Sequence, residues 1–296
     1  MEFLQLRYFV ELAKREHLTQ VAEAMYVSPS AISSSISRLE EELGVKLFDR
    51  VGRNIKLSPY GKEYFFYVQR ALNELDEGKI KLQDMLGSSD NQVSLATTNP
   101  YVWNKAIHDF CHLNPEILFK HYFFDSVTSG TRLPDEPVDL IISAPEAFSD
   151  PAWDSELLFH DKIALAVPPG HPFTERESIS LIEAKDEWFV SLTDSSFSRF
   201  CYNLCIQAGF EPKSRLSCDY MLRPKMVLNE GMVCLTTYNG KHTGVFADVP
   251  LVPLTDAGAT RSQAIFWRRD RYLSKSAALF KKYLVDIYRD YQPEQI

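Results

Sequence analysis

The chain changes texture once, at Gly87-Ser88-Ser89-Asp90-Asn91. Before this polar stretch, apolar residues recur every three or four positions, the period of helices. After it, short runs rich in β-branched and aromatic residues alternate with helical segments. One core cannot be built from both patterns, and 296 residues exceed what one ordinary core supports. The expected division is a head over 1–58, a linker helix and hinge over 59–87, and a third part over 88–296. The expected class is a multidomain α+β protein whose C-terminal part is an α/β domain with mostly parallel sheet.

In the head, Leu6, Phe9, Val10 and Ala13 mark the buried stripe of a first helix. Thr19 is placed to cap a second, Gln20 to Met25. Ser28 caps a third, with Pro29 at its first position and Gly44 at its end. Val45–Phe48 and Asn54–Leu57 are expected as two strands of a wing around residues 49–53. Ser58-Pro59 then opens a helix to about Leu86. Along it Phe65, Val68, Leu72, Leu75 and Leu82 form a seam through which two copies would dimerise.

The third helix carries the most information. Ile32, Ile36, Leu39 and Leu43 share one stripe, and Ser30, Ser33, Ser34 and Ser37 share the opposite one. Serine is a poor choice for a merely solvated helix face, because its hydroxyl competes for backbone groups. Small hydroxyls do suit close approach to DNA, where they reach phosphates or base edges. Thr19 and Ser28 at the neighbouring caps, and Arg50 and Arg53 at the wing tip, complete the candidate DNA-binding set. The net charge of −8 argues against nucleic acid only in sum. Residues 1–60 are neutral, and 45–62 hold five basic side chains against Asp49 alone, a local basic strip.

Three segments carry a resemblance: Ala24-Met25-Tyr26-Val27-Ser28-Pro29-Ser30-Ala31-Ile32-Ser33, Leu39-Glu40-Glu41-Glu42-Leu43-Gly44-Val45-Lys46-Leu47-Phe48-Asp49-Arg50 and Leu57-Ser58-Pro59-Tyr60-Gly61. In register over some forty residues, they resemble the LysR-type transcriptional regulators. Val138–Ile142, Val167–Pro172 and Asn229–Leu235 resemble later family segments, so the likeness spans essentially the whole chain. It implies a winged helix-turn-helix, a dimerising linker helix and a regulatory domain of periplasmic-binding-protein type. That domain would have two subdomains, about 92–161 with 266–296, and about 162–265. The implied partners are promoter DNA, a small-molecule effector, further copies of the chain up to a dimer of dimers, and RNA polymerase. Members often carry Arg where Ser34 stands and Gln where Pro29 stands. Base contacts are therefore carried over only to Ser30, Ser33, Arg50 and Arg53.

In the third part, Asn99-Pro100 repeats the cap-plus-proline start directly after the strand Val93–Thr97. Thr97, Thr98 and Asn99 thus stand where free N–H groups and hydroxyls could hold a polar ligand, and Thr98 best matches the family's effector position. Thr193, Asp194, Ser195 and Ser196, between the strand Trp188–Leu192 and a helix from Phe197, would be the opposing wall.

Other functions find less support. The five cysteines show no CxxC spacing, and no disulfide framework is expected. Cys201 and Cys205, one helical turn apart, invite a redox-responsive alternative, although an intact helix orients such a pair poorly for a disulfide. His108, Cys111 and His112 have helical ligand spacing but no evident fourth partner, so no metal or other cofactor is expected. No GxSxG, GxGxxG, Walker or HExxH motif suggests an enzyme. A solute-binding protein without DNA function would fit the C-terminal part alone. The first residues do not read as a secretory signal and no stretch is apolar enough for a span, so the expected location is the cytoplasm, away from membranes.

Overall fold

The computed structural model describes residues 1–51, 54–86, 91–98, 101–124, 138–148, 150–193, 195–241 and 245–289. It divides into two units, Met1–Ser88 and Ser89–Ile296.

The first unit begins with helices α1 (Phe3–Arg15), α2 (Leu18–Ala24) and α3 (Pro29–Leu43). Thr19 lies inside α2 rather than at its cap. His17 takes that place, its Nδ1 accepting from the Gln20 N–H at 3.4 Å. Ser28 does cap α3, accepting from the Ala31 N–H at 3.2 Å, and Gly44 ends the helix at φ 71°. The wing strands are β1 (Phe48–Val51) and β2 (Asn54–Leu57), antiparallel, with Phe48 opposite Leu57. The first therefore starts three residues later than its apolar run, because Leu47 turns into the core beside Phe9, Leu12, Ile32 and Leu39.

Helix α4 (Pro59–Leu86) opens on Ser58, whose hydroxyl accepts from Gly61 N–H at 2.9 Å and donates to Lys46 O at 2.6 Å. Its first turn passes so close to Leu47 that a Cβ on Gly61 would fall 2.0 Å from the Leu47 carbonyl oxygen.

The second unit contains β3 (Gln92–Thr97), α5 (Asn104–Leu113), β4 (Leu118–Phe123), β5 (Leu140–Ser143), β6 (Trp153–Ala166) and β7 (Trp188–Leu192). It continues with α6 (Ser196–Gln207), β8 (Lys213–Cys218), α7 (Leu222–Glu230), β9 (Cys234–Thr237), β10 (Leu251–Pro253), β11 (Thr260–Arg268) and α8 (Lys275–Tyr288). Seven strands form one sheet in the order β10-β6-β11-β5-β3-β4, with β9 also on β6, while β7 and β8 pair separately. The sheet is mixed, which corrects the expectation of mostly parallel pairing. Among the described strands, β3–β4, β3–β5 and β7–β8 are the pairs that run parallel. The long strands β6 and β11 run antiparallel to each other and to their neighbours, because one leaves the first half of the domain and the other returns to it.

Each half has its own core. Trp103, Phe110, Leu95, Ile142 and Phe280 fill the first, and Phe189, Leu181, Val233 and Leu204 fill the second. β11 pairs with β5 of the first half through Ala264–Trp267, and its register with β6 shifts between Gln263 and Ala264, where Leu158 of β6 is the extra residue.

Candidate nucleic-acid interface and effector site

The amphipathic pattern of α3 places Ile32, Ile36 and Leu39 in the head core, while Ser30, Ser34 and Ser37 stand exposed. Ser33 is half-buried. It joins Thr19, Ser37, Lys46 and Asp49 around a recess of about 730 Å³ between the helices and the wing. Ser28 is exposed, and its hydroxyl lies 2.9 Å from that of Ser30, so the cap and the serine row are continuous. Arg50 falls within β1, but its side chain lies outside the described residues, as does the whole of Arg53.

Two glutamates that sequence reading missed fix the wing to the helices. Glu40, buried near the end of α3, accepts from the Leu47 and Phe48 N–H groups at 2.8 and 3.2 Å and pairs with Lys46 Nζ at 2.6 Å. Glu16 adopts a left-handed φ of 49° at the end of α1. From there its carboxylate takes the Leu57 N–H at 3.0 Å and the Lys56 ammonium. The Lys56 hydrogen bond holds the Glu16 carboxyl below its ordinary pKa. A signal did exist for Glu40: acids in the last turns of a helix oppose the macrodipole, so Glu40-Glu41-Glu42 is a local conflict that needs a tertiary reason.

The expected seam of α4 splits. Phe65, Val68 and Leu72 pack into the head of their own chain. Leu75 and Leu82 stay exposed, at 52% and 61%. They continue a stripe with Ala71, Gly78 and Met85 at alternating spacings of four and three.

In the second unit, Thr97 is fully buried and its hydroxyl lies 2.9 Å from His121 Nε2, which removes it from a ligand wall. Thr98 is half-exposed, with its N–H on the Ile142 carbonyl at 3.3 Å. Asn99 and Asp194 lie outside the described residues. Thr193 is exposed. Ser195 is buried and spends its hydroxyl as the cap of α6, accepting from the Ser198 N–H at 2.9 Å. Ser196 Oγ instead accepts from Arg261 Nη2 at 3.1 Å. The same guanidinium reaches Glu146 through Nε at 3.2 Å, just beyond β5. Arg261 thereby ties the head of α6 in one half to the sheet end of the other, the end that also carries Thr98. The turn Tyr101–Trp103 and the turn Tyr238–Lys241 also meet across the two halves.

Trp103 and Phe124 are core. Phe197 and Phe200, at the edge of the second core, lie under Arg261, their ring centroids 5.1 and 5.2 Å from its guanidinium carbon. Burial pushes the thiols of Cys201 and Cys205 up to about 12. Among the described residues no group of three or more side chains is arranged to hold a metal ion, and no helix is long and apolar enough to cross a membrane.

A helix-turn-helix head with a clamped wing, a long helix, and a two-lobed α/β domain define a one-component, DNA-binding regulator with a sensing domain. The model of the bacterial regulatory helix-turn-helix protein, lysR family, matches residues 3–62, and that of the LysR substrate binding domain matches 91–289. The chain belongs to the LysR family of transcriptional regulators. It is 29% identical over 297 residues to the transcriptional dual regulator GltC of Bacillus subtilis, covering 97% of this chain and 98% of that one. Full-length OxyR of Pseudomonas aeruginosa shares the fold at a TM-score of 0.69 and 21% identity, over 99% of this chain and 96% of that one. CbnR complexed with its target DNA does so at 0.53 and 18%, over 96% and 98%.

Proposed function

We propose that the chain binds double-stranded promoter DNA as a dimer, and that a small molecule in the cleft of its second unit modulates that binding or activation. Ser30, Ser34 and Ser37 of α3 would enter the major groove, with Thr19, Ser28 and Ser33 at its margin. Arg50 and Arg53 of the wing would meet phosphates or the adjacent minor groove. The stripe Ala71, Leu75, Gly78, Leu82 and Met85 would pair two copies of α4, its small residues permitting close approach. Assembly into a dimer of dimers and contact with RNA polymerase follow the family pattern, and the work is done in the cytoplasm, where the DNA is. Thr98 and the pair Thr193 and Ser196 would face the effector from the two halves.

The observation that carries the reading is the division of α3 into a buried apolar stripe and an outward row of hydroxyls beside a clamped wing. The redox alternative is not favoured, because oxidation of a thiol proceeds through its thiolate and burial disfavours that form at Cys201 and Cys205. The test is retardation of a DNA fragment from upstream of the chain's own gene. Ser34→Glu sets a carboxylate against phosphates and should abolish retardation with the circular dichroism unchanged. Wild-type affinity in that variant would remove the serine row from the interface.

A further inference from the structure

Helix α5 carries two imidazoles one turn apart, His108 and His112, both exposed. Their Nε2 atoms lie 3.1 Å apart. The ring centroids are 4.4 Å apart, less than a head-on contact at that distance requires, so the nitrogens do not meet squarely along the line between them. His108 Nδ1 lies 3.2 Å from Asp109 Oδ1, and the other oxygen of that carboxylate takes the Lys105 ammonium at 2.8 Å. Asp109 is thus anchored by one neighbour and set against the ring of another. His112 stands eight residues beyond the start of α5, about 12 Å along its axis, so the pair is separate from the Thr98 wall that precedes the helix.

An ionised carboxylate only accepts, so His108 carries its proton on Nδ1 and presents Nε2 as a bare lone pair. A carboxylate behind an imidazole is also what fixes the tautomer of a metal-binding histidine and raises its basicity. His112 meets that lone pair through its own Nε2. A cation between the two rings takes both Nε2 lone pairs, and the His112 proton passes through water to its Nδ1. With metal–nitrogen bonds of about 2.0–2.1 Å, the 3.1 Å separation corresponds to an angle of about 98° at the metal, between the octahedral and tetrahedral values. Histidines at i and i+4 are also the spacing by which one helix face grips a zinc ion. Among the described residues no third side chain joins them as a ligand. The expectation of no metal rested on the lack of further protein ligands, and a chelate completed by water needs none.

We propose that His108 and His112 chelate one divalent late transition-metal cation, of the nickel and zinc class, on the exposed face of α5. Asp109 is the positioning residue, and water fills the remaining coordination positions. Imidazole nitrogens select this class over magnesium and calcium, which prefer oxygen.

The test is isothermal titration of the untagged full chain with Ni2+ and Zn2+ in a buffer that does not coordinate them. A micromolar site should appear for at least one of the two, with none for Mg2+ or Ca2+. His108→Gln and His112→Gln should each weaken it at least tenfold. The double variant should be little worse than either, because a lone imidazole cannot close the chelate. Asp109→Ala should weaken the site severalfold, and Asp109→Asn, which keeps an acceptor for Nδ1, should restore part of that loss. All these side chains lie at the surface, so the Tm of the metal-free protein should stay near wild type. A second readout needs no variant. The bound ion should protect His108 and His112 from diethyl pyrocarbonate, read by peptide mass spectrometry, and leave the exposed His160 reactive. The proposal is overturned if neither ion binds at about 1 mM, if the double variant keeps wild-type affinity, or if protection falls on other histidines instead.

Discussion

Glu40 receives the amide of Leu47 at 2.8 Å, so the helix that carries the outward serine row also fixes where the wing begins. The bond lies in the interior, where an acceptor cannot be replaced by water. Glu40→Ala would leave two buried amides without partners and should cost about 1–3 kcal/mol for each. DNA affinity should fall with it, since the wing then loses one of its two carboxylate clamps. Hydrogen exchange at Leu47 and Phe48, with a gel-shift titration, checks both, and Glu40→Gln, which keeps an acceptor, should lose less. Unchanged protection in Glu40→Ala would show that the wing is held elsewhere.

Gly61→Ala tests the close approach of α4. The new methyl meets backbone, not a movable side chain, so the helix start must shift. A loss of roughly 1–3 kcal/mol is expected, as for an overpacked core. A head that melts at the wild-type temperature would refute it.

The two faces of α4 should respond oppositely to charge. Leu75→Asp with Leu82→Asp should leave the head folded and yield monomers with weakened promoter binding, because each half-site then binds alone. Leu72→Asp should instead unfold the head, where burying a leucine contributes on the order of 1.5–3 kcal/mol. Sedimentation velocity with circular dichroism separates the cases. A double variant that sediments as wild type would move the dimer contact off this stripe.

Asp161 predicts a pH dependence. It is buried on β6, accepts from the Asn239 N–H at 3.2 Å, and desolvation raises its pKa from 3.8 to about 7. The folded protein therefore holds this proton more tightly than the unfolded chain. The stability it contributes is complete below pH 3.8 and is lost as pH rises through about 7. Asp161→Asn should remove that dependence, becoming more stable relative to wild type by roughly 3 kcal/mol between pH 5 and pH 8. Parallel melting curves against pH for the two proteins would disprove it.

Local chemistry is what the sequence made legible. Ser28, Gly44 and Ser58 punctuate helices by capping rules that act within a few residues, and each stands where its residue type implies. The strand Lys213–Cys218 escaped notice because most of its side chains are exposed, which leaves no apolar run to read. The first half of β6 gives no strand signal for a related reason: Asp154, Glu156 and Leu157 mix polar and apolar residues on an outer surface. Thr97 and Ser195 show the converse limit. A hydroxyl at a strand end or helix start reads the same whether it greets a ligand or serves its own backbone, and only the fold shows these two already engaged. Arg261 had no local signal, since its partner Ser196 lies 65 residues away.

β6 and β11 run side by side through both halves of the sensing unit, and their pairing slips by one residue at the Leu158 bulge of β6. Two lobes that share a continuous ribbon cannot part like jaws on a loose string; they can only wring about it, through the soft spot a bulge provides. A ligand bound between the lobes would load that shared ribbon directly, so a small rotation would suffice as the signal.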